Sequence, residues 1–250
     1  VIRELLQVGL KRGSKGAKKL KLSLHSKIVL VTSAFLILFG AVVIGLLERH
    51  GALAGRSALE GFWIALFQSV SARTAGFNSI DLSTLRVPSL FLMLFLMFVG
   101  ASPGSAGGGV KTTSIALFFA IVMSRLKGSV HTSLFRRKIP DEAITKALAL
   151  VLLATFLIGL ALIGLLLVQD TGLSHEAPRE FLSYVFEAFS AFGTVGLSIG
   201  ATAKLNAWGK VIVILLMFVG RVGLLTMAFA IAGRTRRFAT RYAEENIMIG

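Results

Sequence analysis

The feature that most constrains this chain is an internal repeat of 120 residues, written in two unrelated motifs. Thr74-Ala75-Gly76-Phe77 returns as Thr194-Val195-Gly196-Leu197, and Leu96-Met97-Phe98-Val99-Gly100 returns letter for letter as Leu216-Met217-Phe218-Val219-Gly220. Two motifs sharing one offset argue for duplication of a whole structural unit. Thr-x-Gly followed by an aromatic or aliphatic residue, set in apolar sequence, is the chemistry of a carbonyl selectivity filter. Backbone oxygens there replace a cation's hydration shell, and Gly permits the dihedrals and close approach this demands. A single Thr-x-Gly is a weak signal. Two copies at one offset, each behind a short amphipathic segment and ahead of an apolar helix, read as two pore units of a cation pathway.

The surroundings place these motifs in a membrane. Stretches 28–47, 88–123, 147–168 and 211–232 are apolar and long enough to enter a bilayer, where about 20 such residues make a span. A hydrophobic content of 55% excludes an ordinary soluble domain. Segments 59–72 and 179–192 are amphipathic but cover only about 21 Å as helices, too short for a core of about 30 Å. They are read as re-entrant half-helices that hand the chain to the Gly motifs, because non-helical backbone at that depth must line a cavity or be buried in protein. Ser57-Ala58-Leu59-Glu60 fits a capping box, and Pro178 with Glu180 marks the second start. Glu60 and Glu180 read first as charge favourable to a helix N-terminus, and second as an outer cation-attracting ring. The half-helix C-termini then aim partial negative charge at the filter.

The expected fold is an all-α membrane protein of two membrane–pore–membrane repeats, each with two transmembrane helices and a re-entrant pore half-helix plus filter loop. Its organisation is a basic segment 1–27, a repeat over 28–123, a basic loop 124–146, a repeat over 147–232 and a tail 233–250. Charge orients it. The net charge is +15, yet 1–27, 124–146 and 233–250 hold 18 Lys and Arg against five acidic residues, while 48–87 and 169–210 hold seven against seven. That alternation is the positive-inside pattern for four crossings, with both termini and 124–146 in the cytoplasm. Anionic lipid headgroups are the partner for the basic segments, and nucleic acid is not. The chain opens on Val with no apolar h-region, so no signal peptide is read and a start in mid-protein is expected. With no cysteine, with His25, His50, His131 and His175 scattered, and with no nucleophile–base pair, neither a metal site, a cofactor nor an enzyme is expected.

One apolar stretch is anomalous. Residues 88–123 would make a helix of about 54 Å, but Gly100 to Thr113 holds five glycines and a proline, each costly in a helix. The expected result is a loop unwound inside the membrane, beneath the filter. A plain cytoplasmic loop fails, because 88–99 is too short to cross and an extra crossing misplaces 124–146. Arg221 lies near the middle of 211–232, where a charge costs about 3 kcal/mol unless paired or hydrated. Its natural partners are carbonyls of the unwound loop, and a guanidinium there raises the barrier to a cation. Gly104, Gly107, Gly108, Gly109, Lys111 and Arg221 are therefore the expected gate. The blander readings are an Arg that ties two helices together and a Lys111 that snorkels to the interface. Gly104 through Thr112 also resembles a nucleotide P-loop, but Val110 separates the Gly and Lys that must be adjacent.

These residues carry a family resemblance. Ser69-Val70-Ser71-Ala72-Arg73-Thr74-Ala75-Gly76-Phe77-Asn78-Ser79-Ile80-Asp81 resembles the third pore loop of Ktr-type potassium transporters, within the Trk/Ktr/HKT superfamily. Ser190 to Ser198 is similar to the fourth, Ser102 to Thr112 to the intramembrane gating loop, and Phe218 to Gly223 to the last helix with its inward-facing Arg. Leu22 to Lys27 looks like the lead-in to the third repeat. The resemblance implies potassium uptake in the plasma membrane by a pore of four such repeats, of which this chain holds the C-terminal two. It also implies a missing N-terminal half, a homodimer, a cytosolic nucleotide-binding regulatory subunit and, in many members, sodium as coupling ion. Filter carbonyls would come from Thr74, Ala75, Gly76, Phe77, Thr194, Val195, Gly196 and Leu197. Two other readings stay open: a self-sufficient two-repeat cation channel acting as a dimer, and a non-conducting scaffold packed on its glycines.

Overall fold

The computed structural model describes residues 22–129, 132–135, 137–169 and 177–223. The basic segment up to residue 21, the tail 233–250, the last part of the helix expected over 211–232, His131 and His175 lie outside the described residues.

Helix α1 (Leu24–Glu48) opens where the Ser23 hydroxyl accepts the Ser26 amide at 3.2 Å, relieving one of the orphan donors of a first turn. The half-helix α2 (Ala58–Ser71) is capped by Ser57, which accepts the Glu60 amide at 3.2 Å. The reciprocal half of the capping box is not made, because the Glu60 carboxylate pairs with Arg56 at 2.6 Å instead. Past the first Gly motif, Asp81 caps a 3₁₀ turn (Leu82–Thr84) by accepting the Ser83 amide at 2.9 Å. Hydrogen bonds from the Ser83 side chain and backbone hold the Asp81 carboxyl below the usual carboxylate range.

The apolar stretch 88–123 forms two helices, α3 (Val87–Phe98) and α4 (Thr112–Leu126), with the Gly-rich run between them. A short antiparallel pair, β1 (Ser133–Leu134) and β2 (Arg137–Lys138), lies in the basic loop and departs from an all-α fold. Helix α5 (Asp141–Val168) begins six residues earlier than the apolar stretch, since Asp141 and Glu142 suit a helix N-terminus whether or not lipid surrounds it. Next come α6 (Ala177–Gly193), a single turn α7 (Ala201–Lys204) and α8 (Ala207–Val222).

The two units are closed at matching corners by different chemistry. Glu48, fully buried at the end of α1, accepts the Ala52 amide at 3.0 Å and the Arg86 amide at 2.9 Å, and also the Ser89 hydroxyl. In the second unit Asn206 accepts the Gly209 amide at 2.8 Å and donates to the Val168 carbonyl at 2.8 Å, joining α5 to α8. The units meet where α3 packs on α6. Met93, Leu96, Met97, Phe186 and Phe192 are buried there, and the Phe98 ring stacks on Phe192 with centroids 6.3 Å apart.

Helices α1 and α5 are long and apolar enough to cross a membrane. Only 33% and 17% of their most apolar windows are buried within the chain, so these faces are not a globular core. Phe35, Leu46, Leu152, Phe156 and Leu167 point outward along them. Apolar surface of that extent marks contact with lipid or with further protein.

Candidate functional site

Helices α2 and α6 end against the two Gly motifs and satisfy their amides. The Ser71 carbonyl accepts the Ala75 amide at 3.1 Å and the Gly76 amide at 3.2 Å. In the second copy the Ala191 carbonyl accepts the Thr194 amide at 3.0 Å and the Ser190 carbonyl accepts the Val195 amide at 2.9 Å. The motif carbonyls have no such partners. Among the described residues those of Thr74, Ala75, Gly76, Thr194, Val195, Gly196 and Leu197 accept no hydrogen bond, and only that of Phe77 is held, by the Ser71 hydroxyl.

The backbone reaches this state by alternating its handedness. Thr74 and Gly76 have φ of 71° and 79°, Thr194 and Gly196 of 49° and 92°, while Ala75 and Val195 between them are not left-handed. A β-branched residue at positive φ is a genuine outlier and stores about 1–3 kcal/mol. Its appearance at both copies of one motif makes it part of the design. Alternating hands bring successive amides to one concave side, here onto the helix end, and turn the carbonyls away from it. The two motifs also touch. A Cβ on Gly76 would overlap the Val195 carbonyl oxygen, whereas one on Gly196 would meet only open space.

The Gly-rich loop lies against the threonines of both motifs. Its neck is closed by the Gly100 amide on the Val110 carbonyl at 3.0 Å and the Val110 amide on the Phe98 carbonyl at 3.1 Å. Beyond the neck the Gly108 amide donates to Thr194 Oγ1 at 2.9 Å. A Cβ on Gly107 would sit 2.6 Å from Thr74 Oγ1, and one on Gly108 would sit 2.5 Å from Thr194 Oγ1. Gly109 is left-handed at φ 72° at the neck, and Gly104, at φ 79°, has open space about its Cα.

The cations around this loop are arranged differently from expectation. Lys111 folds back and donates from Nζ to the Gly107 carbonyl rather than reaching for the interface. Arg221 is exposed at the end of α8 and makes no hydrogen bond among the described residues, so the contact expected between it and the loop carbonyls is absent. It is close enough to Lys111 for the two like charges to interact. The guanidinium that does reach the loop is Arg73, the residue before the first motif. It donates to the Gly100 carbonyl at 3.5 Å and to the Ser33 carbonyl of α1 at 3.4 Å, while its Nε is buried without a partner. Charge counting groups Arg73 with the outer loop; its place directly before the first Gly motif is the signal for something else.

Two short helices whose Gly motifs meet over one shared loop, beside two helices long and apolar enough to cross a membrane, make a mostly helical membrane-protein fold. The chain matches the TrkH model, described as cation transport protein, over residues 16–235, and it belongs to that family. It is thus a member of a transporter family and not an enzyme. Among relatives, it is 38% identical to Ktr system potassium uptake protein B of Vibrio alginolyticus, over 92% of this chain and 49% of that one. It is 37% identical to the protein of the same name from Bacillus subtilis, over 91% and 50%. To the potassium/sodium uptake protein NtpJ of Enterococcus hirae it is 36% identical, over 92% and 51%. The crystal structure of the potassium transporter TrkH from Vibrio parahaemolyticus superposes with a TM-score of 0.68 at 22% identity, covering 80% of this chain and 43% of that one. The chain spans about half the length of the curated relatives it matches.

Proposed function

We propose that this chain forms repeats three and four of a Ktr-type potassium uptake subunit, and that Thr74–Phe77 and Thr194–Leu197 supply half of its carbonyl filter. The observation that carries this reading is the set of seven motif carbonyls without a donor among the described residues, each motif at the C-terminal end of a half-helix. Such oxygens can take over a cation's hydration shell, and the helix ends add partial negative charge. Loop 100–112 is the gate: it lies against both filter threonines, and Lys111 and Arg221 place two positive charges on that side. The wider reading is a plasma-membrane protein with its basic loops in the cytoplasm, a homodimer and a cytosolic nucleotide-binding regulatory subunit. Sodium is the candidate coupling ion, in keeping with the potassium/sodium name of the Enterococcus relative.

Growth at limiting potassium of cells lacking their own uptake tests the assignment. The chain alone, confirmed in the membrane, is expected to fail, and to restore growth once two upstream repeats are supplied. Rescue by the chain alone that vanishes with Gly76→Ser would establish a two-repeat channel instead. In the assembled transporter Gly196→Ser is expected to weaken potassium-over-sodium discrimination, since its side chain enters the open space beside the motif. Unchanged selectivity in flux assays would sink the filter assignment. Arg221→Ala is expected to raise flux by removing one of two like charges at the gate, and equal or lower flux at matched surface expression would count against that barrier.

A further inference from the structure

The half-helix of the second unit carries a buried carboxylate, which the half-helix of the first does not. Glu187, on α6, is 6% exposed and has no Lys or Arg partner among the described residues. Its two oxygens are held by hydroxyls. Oε2 accepts from Ser198 Oγ at 2.8 Å, and Oε1 accepts from Thr202 Oγ1 at 2.6 Å. Ser198 Oγ also accepts the Gly200 amide at 3.2 Å. Gly200 is left-handed at φ 100° and caps α7. Glu187 therefore staples residues 198–202, which begin where the second motif ends, to the flank of its own half-helix.

At an offset of 120 the corresponding residues of the first unit are Phe67, Asn78 and Leu82, so no part of this staple is duplicated. Phe67 is half-exposed. The first motif is secured differently, by Ser71 on the Phe77 carbonyl. A half-helix of this kind hence folds without the carboxylate, and burying one without a cation is unfavourable unless hydrogen bonds hold it. Stability of the half-helix does not account for Glu187. Its reach does: it fixes the chain within one residue of Leu197, itself 2% exposed.

We infer that Glu187 is a positioning residue for the second filter motif, holding the spacing of the Thr194–Leu197 carbonyls at a potassium-sized cation through Ser198 and Thr202. Released from this staple, the motif can close around a smaller ion and loses discrimination against sodium. The inference rests on the filter assignment above.

The test is made in the complete transporter, expressed in cells without endogenous potassium uptake. KM and maximal rate are measured separately for potassium and sodium, with Gly196→Ser alongside. Glu187→Ala and Ser198→Ala are each expected to lower the potassium/sodium ratio of Vmax/KM by about tenfold, the scale of a lost hydrogen bond to a charged group. Glu187→Gln keeps an acceptor for Ser198 and is expected to stay within about threefold of the parent, as a neutral bond replaces a charged one. A ratio unchanged in Glu187→Ala while Gly196→Ser lowers it overturns the positioning role and leaves the filter assignment standing. A ratio unchanged in Gly196→Ser overturns the filter assignment itself. If Glu187→Gln falls as far as Glu187→Ala, charge rather than position is what the site needs, and the inference fails. Should Glu187→Ala not reach the membrane, Ser198→Ala interrogates the same staple from its other end.

Discussion

Gly76→Ala is expected to reduce potassium-over-sodium discrimination by about tenfold or more, and to lower transport with it. Two effects act together. A Cβ at Gly76 overlaps the Val195 carbonyl oxygen and lies 3.2 Å from the Val195 carbonyl carbon, both rigid backbone. The residue also holds φ at 79°, where a side chain costs about 1–2 kcal/mol; about 1.4 kcal/mol corresponds to a tenfold change in rate. The substitution must displace one motif or the other, so a change in the first unit disturbs the Gly motif of the second. Gly196→Ala is the matched control. It shares the left-handed φ, at 92°, but its Cβ meets nothing within 4 Å. Ion-dependent thermal stabilisation of the purified transporter reads both. Gly76→Ala should abolish the difference between potassium and sodium, and Gly196→Ala should diminish it less. Equal retention of that difference in both variants would mean that the two motifs do not share one site.

Gly108→Ala is expected to act in the opposite direction and raise flux about three- to tenfold, the equivalent of about one hydrogen bond of net stability removed from the closed loop. Gly108 is not left-handed, so only space matters. Its Cβ would lie 2.5 Å from Thr194 Oγ1 and 3.0 Å from the Gly193 carbonyl oxygen. The loop must back away from the second Gly motif, and the bond from the Gly108 amide to Thr194 is lost with it. Selectivity should survive, because no motif carbonyl is touched. Rubidium uptake at matched surface expression measures the effect, and lower uptake than the parent would show that this contact does not restrain the ion path.

Much of this architecture was legible in the letters. Two motifs at one offset located both half-helices, since a duplicated unit repeats its pattern of apolar faces and helix starts. The break in 88–123 was legible because Gly and Pro penalise a helix wherever it lies. Depth was not. Arg73 counts as an outer charge by position, although its guanidinium reaches the Ser33 and Gly100 carbonyls. Counting charges assigns a side of the membrane and says nothing of how far a side chain penetrates. The partners of Glu187, 11 and 15 residues away along the chain, depend on how the segment after the motif folds back, and no local pattern records that.

The repeated Leu-Met-Phe-Val-Gly divides what the sequence determined from what the fold decided. In the first unit the helix stops at Phe98, two residues before Gly100; in the second it runs through Gly220 to Val222. Identical residues share one local propensity, so the difference comes from the residues just C-terminal to each copy, a run with a proline and four further glycines after Gly100 and Arg221-Val222 after Gly220. That much was written in the chain. The room around each glycine was not. A Cβ on Gly100 would overlap the Gly108 carbonyl of the returning loop, and one on Gly220 the Phe192 carbonyl of the half-helix α6. Propensity acts between near neighbours along the chain, whereas these approaches join segments brought together only when each unit folds back on itself.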